Sequence, residues 1–178
     1  MKNLNRLVLF VLLLAVPLFA GTKIVHVNPV GLAFGVLNAG VEFVNPSGLN
    51  PVIDADLYIY GSSGWSTFGL GVSGGMRKYL TGESGNGLYI VGTGGVGFMS
   101  AKLSVLGESA STSTLLLNLG GGAGYQAIFS GKYVAGLEGG LSVWLSSGVK
   151  VTIAGTTYDL GYYSGLSPYG AVYLGIKF

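Results

Sequence analysis

In "VIDADLYIYG", Asp54 and Asp56 stand two residues apart, which puts both carboxylates on one face of a strand beside Tyr58 and Tyr60. Paired carboxylates can divide acid and base roles between them. That chemistry needs a substrate-sized cleft, and no stretch of the sequence marks one. Glu42 in "GVEFV" and Glu138 in "KYVAGLEGGLSVWLSS" are each a lone charge on the polar side of an alternating run. Arg77, in "STFGLGVSGGMRKY", is the best-placed basic partner, and Lys150 is another. His26 is the single histidine, and with no cysteine in the chain the ligands for a transition-metal site are too few. Two glycine strings, Gly69 to Gly74 and Gly92 to Gly97, fit G-x-G-x-x-G. A dinucleotide site would need a helix after the glycines and an acidic residue about twenty positions on. Strand alternation runs straight through both strings instead. These glycines relieve crowding and let strands curve, and no cofactor is expected.

The elements that hold these residues show themselves by parity. Ile53, Ala55, Leu57 and Ile59 oppose Asp54, Asp56, Tyr58 and Tyr60. Phe68, Leu70, Val72 and Met76 oppose Thr67, Ser73 and Arg77. Leu115, Leu117, Leu119, Ala123, Tyr125, Ala127 and Phe129 oppose Asn118, Gln126 and several glycines. Tyr133, Ala135, Leu137, Leu141, Val143 and Leu145 oppose Glu138, Ser142 and Ser146. Period two is the mark of a strand whose faces meet different surroundings. Breaks rich in Gly, Ser, Asn and Pro divide the runs at 45–51, 61–64, 81–87, 107–113, 130–132 and 164–168.

Which face meets water follows from composition. Charged residues are 9% of the chain and hydrophobic ones 49%, against roughly 25% charged in ordinary soluble domains. The polar face is mostly Gly, Ser, Thr and Asn, too bland for a solvated exterior. It suits the inside of a narrow barrel whose apolar face meets lipid. Aromatics gather near segment ends, Tyr58, Tyr60 and Trp65 at one turn, Tyr79 and Tyr89 at the next, Phe129 and Tyr133 at a third, as interfacial girdles do. The fold expected is all-β, an antiparallel transmembrane β-barrel, with eight strands suiting the length. Glu42, Asp54, Asp56, Arg77 and Glu138 then lie in the lumen, because a basic group facing lipid at the midplane costs about 2–4 kcal/mol. They are expected to form an ion-paired plug, or a gate or selective constriction.

Residues 1–20 carry Lys2 and Arg6 and then an apolar run from Leu7 to Ala20 broken by Pro17, the pattern of a secretory signal peptide. The barrel domain is expected over 21–178. Removing Lys2 and Arg6 from the nine basic residues leaves seven, equal to the seven acidic ones. A neutral chain has no electrostatic attraction for nucleic acid.

The export signal, the alternating segments and the closing "YLGIKF" resemble the small bacterial outer-membrane β-barrel proteins of the OmpA/OmpX/OmpW-like group. The resemblance is architectural and covers the whole of 21–178. It implies a cell outer-membrane location, with outer-membrane lipids and the outer-membrane assembly machinery as partners, and carries no catalytic or ligand residues across. A structural or surface-interaction role is expected, because the sequence shows no enzyme active site. The surface ligand is not specified by it. Val172, Leu174, Ile176 and Phe178 stand where such proteins carry their C-terminal assembly signal, with Ile176 in place of the more usual aromatic. Small barrels that modify lipid A use a histidine with a serine or acidic partner, which makes His26 the residue to weigh for catalysis. One serine nearby would mean little in so serine-rich a chain. Two threadings fit the sequence. One starts the first strand near Gly31 and places a strand in "VKVTIAGTTYDLGYY". The other takes 22–35 as the first strand and makes 148–167 a long extracellular excursion.

Overall fold

The computed structural model describes residues 21–178 apart from 63, 106, 107, 154, 155, 160 and 163. The expected signal peptide, 1–20, lies outside the described residues. Strand β1 (Lys23–Val27) leads into a one-turn helix, α1 (Pro29–Ala33), and then β2 (Val36–Phe43), β3 (Leu49–Ser62) and β4 (Trp65–Tyr79). Longer strands follow: β5 (Gly87–Val105), β6 (Glu108–Phe129) and β7 (Tyr133–Ile153). The chain finishes with a short β8 (Thr156–Asp159) and β9 (Ser164–Lys177). Neighbours pair antiparallel in the order β1 to β7, and β9 lies between β7 and β1 to close an eight-stranded barrel. β8 pairs with β7 alone, Lys150 opposite Asp159, as a hairpin above the ring. The second threading therefore describes the strand order, with two changes. The first strand stops at Val27, where Asn28 accepts from the Gly31 N–H and caps a helix that begins on Pro29. The 148–167 segment is largely strand, because β7 continues to Ile153 and β8 folds back on it.

Polarity is the reverse of a water-soluble barrel. Leu115, Leu117 and Leu119 on β6, Leu137, Leu141, Val143 and Leu145 on β7, and Leu166, Val172 and Leu174 on β9 are all exposed. Arg77, Glu42, Gln126 and Asn50 are almost wholly buried. One sector is less open, since Ala39, Val41 and Leu57 share the outward parity yet are buried, with Val41 set between Val25 and Ile53. The girdle expectation divides. Phe129 and Tyr133 are exposed beside the 130–132 turn, and the Tyr60 and Trp65 rings meet at a tilt, centroids 4.9 Å apart, near the opposite rim. Tyr79 and Tyr89 are instead buried in the lumen. Tyr79 shares Arg77's parity, and two residues along a strand return a side chain to the same face.

Closure is made at the end that carries the termini. The Lys23 N–H donates to the Phe178 carbonyl, and the Phe178 N–H donates to the Lys23 carbonyl. β1 is so short that its register with β9 runs only from Ile24↔Lys177 to Val27↔Leu174. From Ser164 to Tyr173, β9 therefore has β7 on one side and no strand on the other, and α1 packs there against β2 and β9. Pro168 sits in this stretch. The Phe178 amide points to β1 and the Lys177 amide to Lys132 beside β7, so counting back by twos, an N–H at 168 would face the notch. Proline costs no ladder bond on such an edge.

Candidate functional site

Three inward strands bring the main cluster together from different walls: Glu42 on β2, Arg77 on β4 and Glu138 on β7. The Arg77 guanidinium donates to Glu42 Oε2 at 2.9 Å and to Glu138 Oε2 at 3.0 Å. Its flat faces meet the rings of Tyr89 and Tyr173, with Cζ 4.9 and 5.0 Å from their centroids. Each carboxylate has further donors. Glu42 accepts from the Tyr79 hydroxyl at 3.2 Å, from Asn50 and from Gln126. Glu138 accepts from the hydroxyls of Tyr89 at 2.9 Å and Tyr169 at 3.3 Å. The 80–86 turn folds beneath this cluster, where the Gly85 carbonyl accepts from Gln126 and Ser84 donates to Asn50. Buried charges persist when they are paired and their remaining lone pairs are satisfied. Here both conditions hold for the two carboxylates, and the result fills the lumen at the terminal end.

Asp54 and Asp56 do not join that cluster. Asp54 pairs with His26 Nε2 at 2.9 Å, and the His26 ring stacks edge-on against Tyr173 at 4.9 Å. Gly40 opposite has no room for a side chain, because a Cβ there would strike the Asp54 carboxylate and the His26 ring. Asp56 accepts from Asn38 Nδ2 at 2.7 Å. Lys150 is exposed on the β7 extension, away from the lumen. The five candidates thus divide into one triad and two separate pairs. The partners missed in the sequence are neutral: Tyr79, Tyr89, Tyr169, Tyr173, Gln126 and Asn50. Parity with a charge marks some of them, Tyr79 with Arg77 and Asn50 with Asp54 and Asp56. At Gly124 a Cβ would collide with the Tyr89 ring, so this bare position makes room for the tyrosine that holds Glu138.

Toward the far end the same strands enclose a cavity of about 510 Å³. Asp56 and Tyr58 line it from β3, Met99 from β5, Leu116 and Asn118 from β6, and Trp144 from β7. Gly71 of β4 faces Gly97 of β5 across the ladder, leaving the wall bare backbone there. No group of three or more histidine, acidic or cysteine side chains gathers for a metal among the described residues.

Fold and lumen together define a small antiparallel barrel, apolar outside and ion-paired within. The solved N-terminal β-barrel domain of Pseudomonas aeruginosa OprF is similar to it. The TM-score is 0.48 at 12% identity, over 89% of this chain and 98% of that one. A likeness of that degree adds no weight to the fold, which rests on the strand pairing described above. Neither a family model nor a curated protein matches the chain.

Proposed function

We propose that this protein is an integral β-barrel of a bacterial outer membrane, with a structural or surface-interaction role and a lumen stoppered at its terminal end. One observation carries the reading: a closed barrel exposes its leucines and buries Arg77 between Glu42 and Glu138. In water that arrangement would leave a large apolar surface uncovered. In a bilayer the closed ring meets the need to pair its backbone edges, with α1 packed at the notch. Outer-membrane lipids are then the partners of the outward face. The Val172, Leu174, Ile176 and Phe178 face, exposed along β9, is the surface offered to the assembly machinery. Residues 1–20 act as the export signal in this reading. The test is gel mobility of the outer-membrane fraction with and without heating. A folded barrel migrates differently from the boiled chain, and a mature chain that stays monomeric in detergent-free buffer would sink the proposal.

The far-end cavity favours a second reading, a narrow channel for small or apolar solutes. It requires the Arg77 cluster to open, and a folded barrel silent in planar bilayers counts against it. His26 has an acidic partner in Asp54, but the pair is packed under Tyr173. The proposed role is structural. Replacing His26 with alanine and finding membrane lipid profiles unchanged would support that, and a lost lipid modification would overturn it.

A further inference from the structure

Asp56 is distinct among the lumen charges. Arg77 takes Glu42 and Glu138, and His26 takes Asp54, but no ion pair reaches Asp56 among the described residues. Among the described residues its hydrogen bond comes from Asn38 to Oδ1; Oδ2 lies over the bare Gly71 position. Two amide oxygens nearby are in the same condition. Asn38 Oδ1 and Asn118 Oδ1 are buried with no donor. Among the described residues no basic side chain lines the cavity that Asp56 and Asn118 share. The rest of its wall mixes apolar and aromatic side chains, Tyr58, Met99, Leu116 and Trp144 among them, with neutral hydroxyls such as Ser73 and Thr114. A half-buried carboxylate and unmet acceptors call for N–H donors, and rings beside them favour a cation over a neutral group. The volume, about 510 Å³, falls within the range of small-molecule sites.

We propose that the far half of the lumen is a binding cup for a small amphipathic amine: a protonated nitrogen donating to Asp56 and Asn118, with its apolar body against Trp144, Leu116 and Met99. The Arg77 cluster closes the strands below, so the cup is a dead end reached from the far rim. Its charge suits a cation over an anion, since Asp56 is the charged group in the wall and no basic side chain among the described residues lines it. This inference requires the barrel fold proposed above, and the experiment reports on the two separately.

The mature chain, refolded in detergent micelles, is titrated with 2-phenylethylammonium. Heat-shifted gel mobility reports the barrel; calorimetry and Trp144 fluorescence, read in a Trp65→Phe background, report the cup. The expected result is saturable binding at one site. Asp56→Asn should weaken it roughly tenfold or more, as loss of a charge-assisted hydrogen bond does. The neutral 3-phenylpropanol and the anionic 3-phenylpropionate should fail to compete. Binding that never saturates, or equal affinity for the alcohol, would overturn the proposal. So would unchanged affinity in an Asp56→Asn protein that keeps its mobility shift. Should that variant fail to fold, Asn118→Leu removes a cup acceptor without touching the Asn38–Asp56 bond, and unchanged affinity there is equally decisive.

Discussion

What Arg77 contributes depends on the company it keeps. A lone guanidinium in the lumen would be a costly buried charge, and two glutamates without it would be worse. Removing the arginine alone should therefore do more harm than removing the whole triad. Arg77→Ala is expected to destabilise the folded barrel by about 3–5 kcal/mol, the usual penalty for stranding a buried partner. The triple variant Arg77→Met, Glu42→Gln and Glu138→Gln should lose less than Arg77→Ala alone, because no charge remains unpaired. Urea unfolding in lipid vesicles measures both, and a triple variant weaker than the single one would refute the account. The sequence made the charges legible as interior residues, since each falls on the polar parity. It did not disclose their pairing. Parity says which face a residue takes, while distance across a lumen depends on how far each strand is staggered from the next. Arg77 thus meets Glu42 and Glu138, and Asp54 and Asp56 find His26 and Asn38 instead.

Strand lengths carry the next level of meaning. About 9–11 residues of tilted strand cross a bilayer, yet β5, β6 and β7 run to 19, 22 and 21 residues. Their excess lies at the far end, beyond the stretch that starts at the exposed Phe129 and Tyr133. An arginine should then report its height. Leu137→Arg, near mid-membrane on β7, should cost about 2–4 kcal/mol, while Ile153→Arg on the extension should cost about 1 kcal/mol or less. Equal penalties in vesicle unfolding would mean that the extension is also in lipid. The notch makes a second element-scale prediction. Amides of Leu166, Gly170 and Val172 point toward α1 rather than β7, by the alternation fixed at Lys177 and Phe178. They should exchange hydrogen about tenfold or more faster than those of Ser167, Tyr169 and Ala171, which face β7. Uniform protection along β9 would show that the edge is paired after all. Alternation marked most of these strands in the sequence, but the end of β1 was hidden, because Asn28 and Pro29 cap a single helical turn too short to show a helical period. Pro168 was the readable sign of an unpaired edge within a strand.

For the molecule as a whole, the two ends of the lumen differ in kind. The terminal half is packed with Arg77, Tyr79, Tyr89 and Gln126 above the 80–86 turn, and the far half holds open space lined by Trp144 and Leu116. A pore is as wide as its narrowest section, so resistance to ions should reside in the terminal half. The intact barrel is accordingly expected to be silent, or nearly so, in planar bilayers. Widening the plug without disturbing its charges gives the sharper test. Tyr89→Ala and Gln126→Ala together leave both Arg77 ion pairs in place, yet remove a ring stacked on the guanidinium and an amide that ties Glu42 to Gly85. That double variant should show resolvable conductance steps at voltages where the parent shows none. The matching change in the cup, Trp144→Ala, should leave the parent's silence unaltered because the constriction lies elsewhere. If the parent conducts steadily and the double variant conducts no better, the Arg77 cluster is not the barrier, and the stoppered lumen gives way to the channel reading.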